Sequence, residues 1–211
     1  MSVAANPHFK VEVTSHALGP NLPQRIGRLL WAPMLAMSLM AFPVGLAIGV
    51  VRAGLVADGG DPSMIAALGQ FGPAAMFVGF ASVFAAISFA IARILGELRV
   101  GGGRIQEAAG RAVHTLRMPV TGYAFIGVMA MGMMLILGGV VGHLIVGAGI
   151  AGGDGGLLAQ SDSWGIWLEA ARRLGVVTYL AAIALGLATI VEVLRFQAVR
   201  VRELPAEAMR Q

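Results

Sequence analysis

Four long apolar stretches constrain this chain more than any other feature. Residues 29–51, 74–92 and 120–150 contain no Asp, Glu, Lys or Arg, and residues 174–194 contain one, Glu192. A helix needs about 20 apolar residues to cross the hydrocarbon core of a bilayer, so each stretch suffices for one crossing. Within a bilayer every backbone polar group must be satisfied internally, which leaves helices or a closed barrel. A barrel requires period-two alternation, whereas residues 79–94 show no such alternation. The expected fold is an all-α integral membrane protein with four transmembrane helices. Composition agrees, because only 12% of the 211 residues are charged against about 25% in soluble domains.

The positive-inside rule sets the orientation. Lys10, Arg25 and Arg28 precede the first span, Arg93, Arg99, Arg104, Arg111 and Arg117 separate the second from the third, and Arg195, Arg200, Arg202 and Arg210 follow the fourth. Only Arg52, Arg172 and Arg173 fall on the other side, together with Asp58, Asp61, Asp154, Asp162 and Glu169. Twelve basic residues against three place both termini in the cytoplasm, in a membrane expected to be bacterial and cytoplasmic. The arginines are scattered beside the spans and no soluble domain with aromatic residues accompanies them, which suits anionic phospholipid headgroups and not nucleic acid. The first span is expected to serve as its own insertion signal, since the polar lead is long and the apolar block exceeds a signal-peptide core. With no cysteine, disulfides, thiol catalysis and iron–sulfur ligation are excluded.

The chain accordingly reads as a cytoplasmic segment (1–28), a first transmembrane hairpin (29–100), a cytoplasmic interfacial helix (101–119), a second hairpin (120–197) with an outer amphipathic loop (152–173), and a cytoplasmic tail (198–211). The halves resemble each other. A shift of 93 superposes Gly45, Gly49, Gly54, Gly59, Gly60 and Asp61 on Gly138, Gly142, Gly147, Gly152, Gly153 and Asp154. A shift of 96 superposes Ala85, Ala86, Ile87, Ala92, Ile94, Leu98 and Arg99 on Ala181, Ala182, Ile183, Ala188, Ile190, Leu194 and Arg195. Two parallel-repeat hairpins, related by an axis along the membrane normal, are expected. Gly45 and Gly49, like Gly138 and Gly142, stand four apart on one helical face, where missing side chains permit close approach. The first and third helices are therefore expected to cross through these faces, and Pro43 to kink the first.

Between the hairpins, Ile105, Ala108, Ala109, Ala112, Val113 and Leu116 recur at helical spacing opposite Arg104, Gln106, Glu107, Arg111 and Thr115, the pattern of a helix lying in the interface. The glycines at 101–103 lack a following GK[ST] and read as a hinge, not a phosphate cradle. On the outer side, Asp61 and Pro62 signal the start of a short helix that Gly69 ends. Trp164, Trp167, Leu168, Ala171 and Leu174 share one face. That face suits either headgroup depth or a partner subunit.

Chemistry is sparse. His143 is the one histidine within a span, with His8, His16 and His114 elsewhere, so no second imidazole stands at matching depth for a bis-histidine haem. Methionines at 34, 37 and 40, and Met129, Met131, Met133 and Met134, raise a copper site with His143, against which methionine is an ordinary packing residue. Arg93 and Glu192, near the cytoplasmic ends of the second and fourth helices, could form an ion pair, and Glu97 lies close by. Serines, histidines and carboxylates do not group as in a catalytic site. The expectation is a non-catalytic integral subunit, without cofactor, that stabilises a larger membrane assembly through glycine-lined helix faces and interfacial helices, with other integral membrane subunits and anionic phospholipids as partners. A two-repeat transporter is the alternative, weakened because Ser38, Ser82, Ser88 and His143 supply most of the mid-membrane polarity. A redox subunit using His143 and methionine is a third.

Overall fold

The computed structural model describes residues 9–14 and 18–208; His8, His16 and Arg210 lie outside them. The element order is β1 (Val11–Thr14), α1 (Leu22–Ala57), α2 (Pro62–Ala108), β2 (Val113–Leu116), α3 (Val120–Ala151), α4 (Gly155–Ala159) and α5 (Ser161–Ala208). The helices α1, α2, α3 and α5 are each long and apolar enough to cross a membrane. The architecture is that of an all-α membrane protein to which one short antiparallel strand pair is added.

Local signals explain the ends of these elements. Asn21 and Gln24 exchange side-chain hydrogen bonds with each other's backbone N–H at 3.0 and 3.2 Å, a capping box that starts α1. The reversals after α1 and after α3 are both built on a glycine in the left-handed region followed by an aspartate cap. After α1, Gly59 has φ +66, Gly60 N–H reaches back to Leu55 O at 2.8 Å, and Asp61 accepts from Ser63. After α3, Gly153 has φ +90, Asp154 N–H reaches back to Gly149 O at 3.0 Å, and the Asp154 carboxylate accepts from Gly156 and Leu157. These are helix-terminating motifs that use glycine where a side chain would be strained. The second reversal is one residue shorter, so its glycines correspond at a spacing of 94 while its aspartates correspond at 93.

Two local expectations change. The stretch 101–119 is not an interfacial helix. α2 continues through the glycines at 101–103 as far as Ala108, Gly110 with φ +68 closes it, and Val113–Leu116 pairs with Val11–Thr14, Val11 opposite Leu116. A β-branched, alternating tetrapeptide won over the helical spacing because a partner strand was available to satisfy its backbone. Nor does a separate helix end at Gly69, since α2 runs unbroken past Gly69 and Pro73. α1 holds Pro33 and Pro43 within one helix, a continuity that a kink at Pro43 does not interrupt.

The contact pattern divides the chain into two units, one comprising Met1–Trp31, Ile87–Gly127 and Ala182–Gln211, the other Ala32–Ala86 and Val128–Ala181. In the first, α1 approaches α2 at Gly27, where a Cβ would stand 2.6 Å from Phe89 O, and α3 meets α5 at Gly122 beside Thr189. In the second, Gly45 abuts Met76 and the Gly72 carbonyl on α2, and Gly132 lies against the backbone of Gly175 and Tyr179 on α5. Close approach at these glycines thus pairs α1 with α2 and α3 with α5, while Gly139 and Gly147 of α3 lie against Phe77 and Phe71 of α2. The expected crossing of the first and third helices through Gly45, Gly49, Gly138 and Gly142 is corrected accordingly. Gly142 receives the Leu168 side chain of α5, while Gly49 and Gly138 have nothing within 4 Å of where a Cβ would be.

α2 is the most enclosed helix, with half of its most apolar window buried against 17% for α1. Ala67, Gln70, Ala74, Phe77, Ala81, Phe84, Ser88 and Ile91 are all buried. Their spacing alternates three and four, the seam of knobs-into-holes packing.

Candidate functional site

The second unit holds a buried polar cluster around His143. α3 places the imidazole 2% exposed against α2, where Nδ1 lies 2.6 Å from Gln70 Oε1. The Gln70 amide nitrogen donates to Ser161 O at 3.2 Å. Its oxygen must then face the histidine as acceptor, so the imidazole proton sits on Nδ1. The other nitrogen, Nε2, is left with a bare lone pair, is buried, and has no hydrogen-bond partner among the described residues. Phe77 meets the imidazole edge to face at 5.2 Å, and the Arg172 guanidinium lies 4.6 Å from the Phe77 ring centre. Glu169 bonds both Arg172 and Arg173. A bare imidazole nitrogen can accept a hydrogen bond or ligate a metal. Among the described residues no group of three or more His, Asp or Glu forms that could complete a metal cage.

The methionine sites do not join this histidine. Met133 and Met129 precede His143 by ten and fourteen residues on one helix, about 15 and about 21 Å along its axis. The expected set Met129, Met133 and His143 therefore cannot share one ion. The tryptophan face also divides. Trp164 and Trp167 are 40% and 72% exposed, whereas Leu168 turns inward onto Gly142.

In the first unit, Arg93 and Glu192 take different partners, not each other. Arg93 stands 5.9 Å from the Trp31 ring centre, and Glu192 accepts from Thr121 Oγ1 at 3.1 Å, itself 3.1 Å from Thr189 Oγ1. Glu97 pairs with Arg28 at 2.7 Å. Arg104 is exposed and Arg111 half-buried.

Sequence reasoning missed the most densely bonded group in this unit. Gln106, 1% exposed, accepts through Oε1 from His114 N–H and from Arg200 Nε, both at 2.9 Å, and donates to His114 O at 3.0 Å. Its amide thereby acts as an added strand residue along β2. Arg200, 2% exposed, also pairs with Glu203 at 3.3 Å. The signal available was a glutamine and an arginine just past the ends of two spans, but the amphipathic pattern had assigned Gln106 to solvent. Comparison with protein families, with curated proteins and with solved structures finds no match for this chain.

Proposed function

We propose that this chain is a non-catalytic integral subunit of a larger membrane assembly, with α1 as its docking helix. The observation that carries this reading is the contrast in α1. Only 17% of its most apolar window is buried within the chain, and Gly49 and Gly54 open onto space. Glycine inside a helix costs about 1 kcal/mol relative to alanine. At Gly27 and Gly45 close packing on α2 returns that cost, but at Gly49 and Gly54 nothing inside the chain does. Five residues apart, the two glycines lie on different sides of α1, and a helix from another subunit laid on α1 at Gly49 would supply the missing contact there. Under the same reading both termini face the cytoplasm, the two hairpins are parallel repeats, and the exposed pair Trp164 and Trp167 anchors the outer side in headgroups or on the partner.

The test is co-purification from native membranes of the tagged chain beside the Gly49→Leu, Gly54→Leu double variant. A partner polypeptide retained by the first and lost by the second, with both chains equally folded, is the expected result. A chain that runs alone and monodisperse overturns the proposal.

One observation favours a second reading. Nε2 of buried His143 has no hydrogen-bond partner among the described residues, and with Nδ1 held by Gln70 it could ligate a metal. A redox role would require the remaining ligands from another chain, and an optical spectrum with metal analysis of the isolated assembly decides it.

A further inference from the structure

The strand pair creates a cationic cavity that the positions of its residues in sequence do not suggest. Arg117 N–H donates to Lys10 O at 2.8 Å, extending the ladder one step beyond Val11 and Leu116. Lys10 and Arg117 thus face each other across the pair, an arrangement of like charges that is unfavourable unless something neutralises it. Arg195, from α5, lines the same cavity, whose volume is about 760 Å³. Glu192 is the one carboxylate in its lining, so three cations oppose one anion, and that carboxylate is engaged by Thr121. The first turn of α3 opens into the cavity through Val120 and Thr121, whose N–H groups have no acceptor within the helix. The remaining wall is apolar. Phe9, held edge to face on Phe196 at 5.7 Å, lines it with Met118, and Val120 and Tyr123 are 81% and 61% exposed where the apolar run of α3 begins.

We propose that this cavity binds the phosphate headgroup of an anionic phospholipid, held by Lys10, Arg117 and Arg195, with the glycerol and acyl part along the apolar wall. Charge complementarity selects an anion, and the apolar wall beside a membrane-crossing helix selects one that carries a chain. Basic pockets at the cytoplasmic ends of transmembrane helices hold anionic headgroups for these reasons. Glu192 disfavours a second anion and limits the charge that the site takes. The inference rests on the membrane reading but not on a partner subunit, so it is measured on the isolated full chain and survives if α1 docks nothing.

The experiment is titration of the full chain in neutral detergent with phosphatidylglycerol or phosphatidylcholine, with bound lipid counted by native mass spectrometry. We expect phosphatidylglycerol to bind about tenfold or more tightly than phosphatidylcholine. The Lys10→Gln, Arg117→Gln, Arg195→Gln variant should erase that preference, while the Arg25→Gln, Arg202→Gln variant, altered at two exposed cations outside the cavity, should keep it to within about twofold. Glu192→Gln, a near-isosteric change that leaves the cations in place, should tighten phosphatidylglycerol several-fold. Equal affinity for the two lipids, equal loss in both multiple variants, or no tightening by Glu192→Gln overturns the proposal. Displacement of the lipid by millimolar inorganic phosphate overturns it in favour of a soluble anion.

Discussion

The Nδ1 atom of His143 lies 2.6 Å from Oε1 of Gln70, joining α3 to α2 through two side chains that are almost wholly buried. Because both are buried, removal of one leaves the other unsatisfied at a cost of about 1–3 kcal/mol. Gln70→Leu and His143→Leu should each destabilise the chain by that order in reversible denaturation in detergent. The double variant should cost less than the sum, with a coupling of about 0.5–3 kcal/mol. Strictly additive losses would show that the pair contributes nothing jointly.

The glycines divide into seam and open positions, and substitution should separate them. A Cβ at Gly27 would stand 2.6 Å from Phe89 O, and one at Gly132 would stand 3.0 Å from Tyr179 N. Backbone cannot move aside as a side-chain tip can, so Gly27→Leu and Gly132→Leu should lower stability by about 1–3 kcal/mol or more. A Cβ at Gly49 or Gly138 meets nothing within 4 Å, so Gly49→Leu and Gly138→Leu should leave the isolated chain at least as stable, since leucine is the better helix former. Melting in detergent checks the ordering, and loss of stability at Gly49 equal to that at Gly27 would contradict it.

The span count was legible because hydrocarbon imposes a length and a charge rule that no tertiary contact can override. Which face of each span packs inward was not legible. In α2 the buried seam from Ala67 to Ile91 includes Gln70, Ser82 and Ser88 lie among its buried positions, and the exposed faces are just as apolar, so hydrophobic periodicity carries no information there. The glycine spacing rightly marked places of close approach, yet spacing along one helix does not say which helix arrives. Gly45 meets α2 and Gly142 meets α5, although both looked suited to an α1 to α3 crossing. The strand pair escaped for a different reason. Val113–Leu116 follows ten residues of convincing helical pattern, and its partner Val11–Thr14 lies about a hundred residues earlier, a pairing that local propensity cannot reveal. His143 stood out by its rarity, but its partner Gln70 did not, because a single amide in an outer loop reads as solvated.

The buried contact of Gln106 with Arg200 predicts a local effect on the strand pair. Gln106 holds both the N–H and the carbonyl of His114, so Gln106→Leu should free the middle of β2. Amide hydrogen exchange across 113–116 should accelerate by about tenfold or more, as expected when local opening is eased by about 1.4 kcal/mol or more. Arg200→Leu removes the charge that faces Gln106 and Glu203, and breaking a buried pair from one side costs about 3–5 kcal/mol. Its effect should therefore extend beyond β2 to α5. Exchange unchanged in 113–116 in both variants would mean that the strands hold without the amide.

Asp61 gives the pH dependence of the reversal between α1 and α2. The Ser63 hydroxyl, donating to Asp61 Oδ2 at 2.5 Å, and then the Ser63 N–H hold the Asp61 carboxyl below the ordinary carboxylate range. A group whose folded pKa is depressed stabilises the folded state at every pH above its unfolded pKa, and that contribution disappears as the pH falls through the folded pKa. Ser63→Ala removes the larger cause of the depression while leaving the backbone donor in place. Wild type should therefore melt higher than Ser63→Ala near neutral pH. The gap should stay constant down to about pH 5 and narrow as the pH falls below about 4. Because the carboxylate is fully exposed the gap is small, so the informative quantity is its slope with pH. A gap that widens toward low pH would reverse the assigned sign and show that the hydroxyl favours the protonated carboxyl.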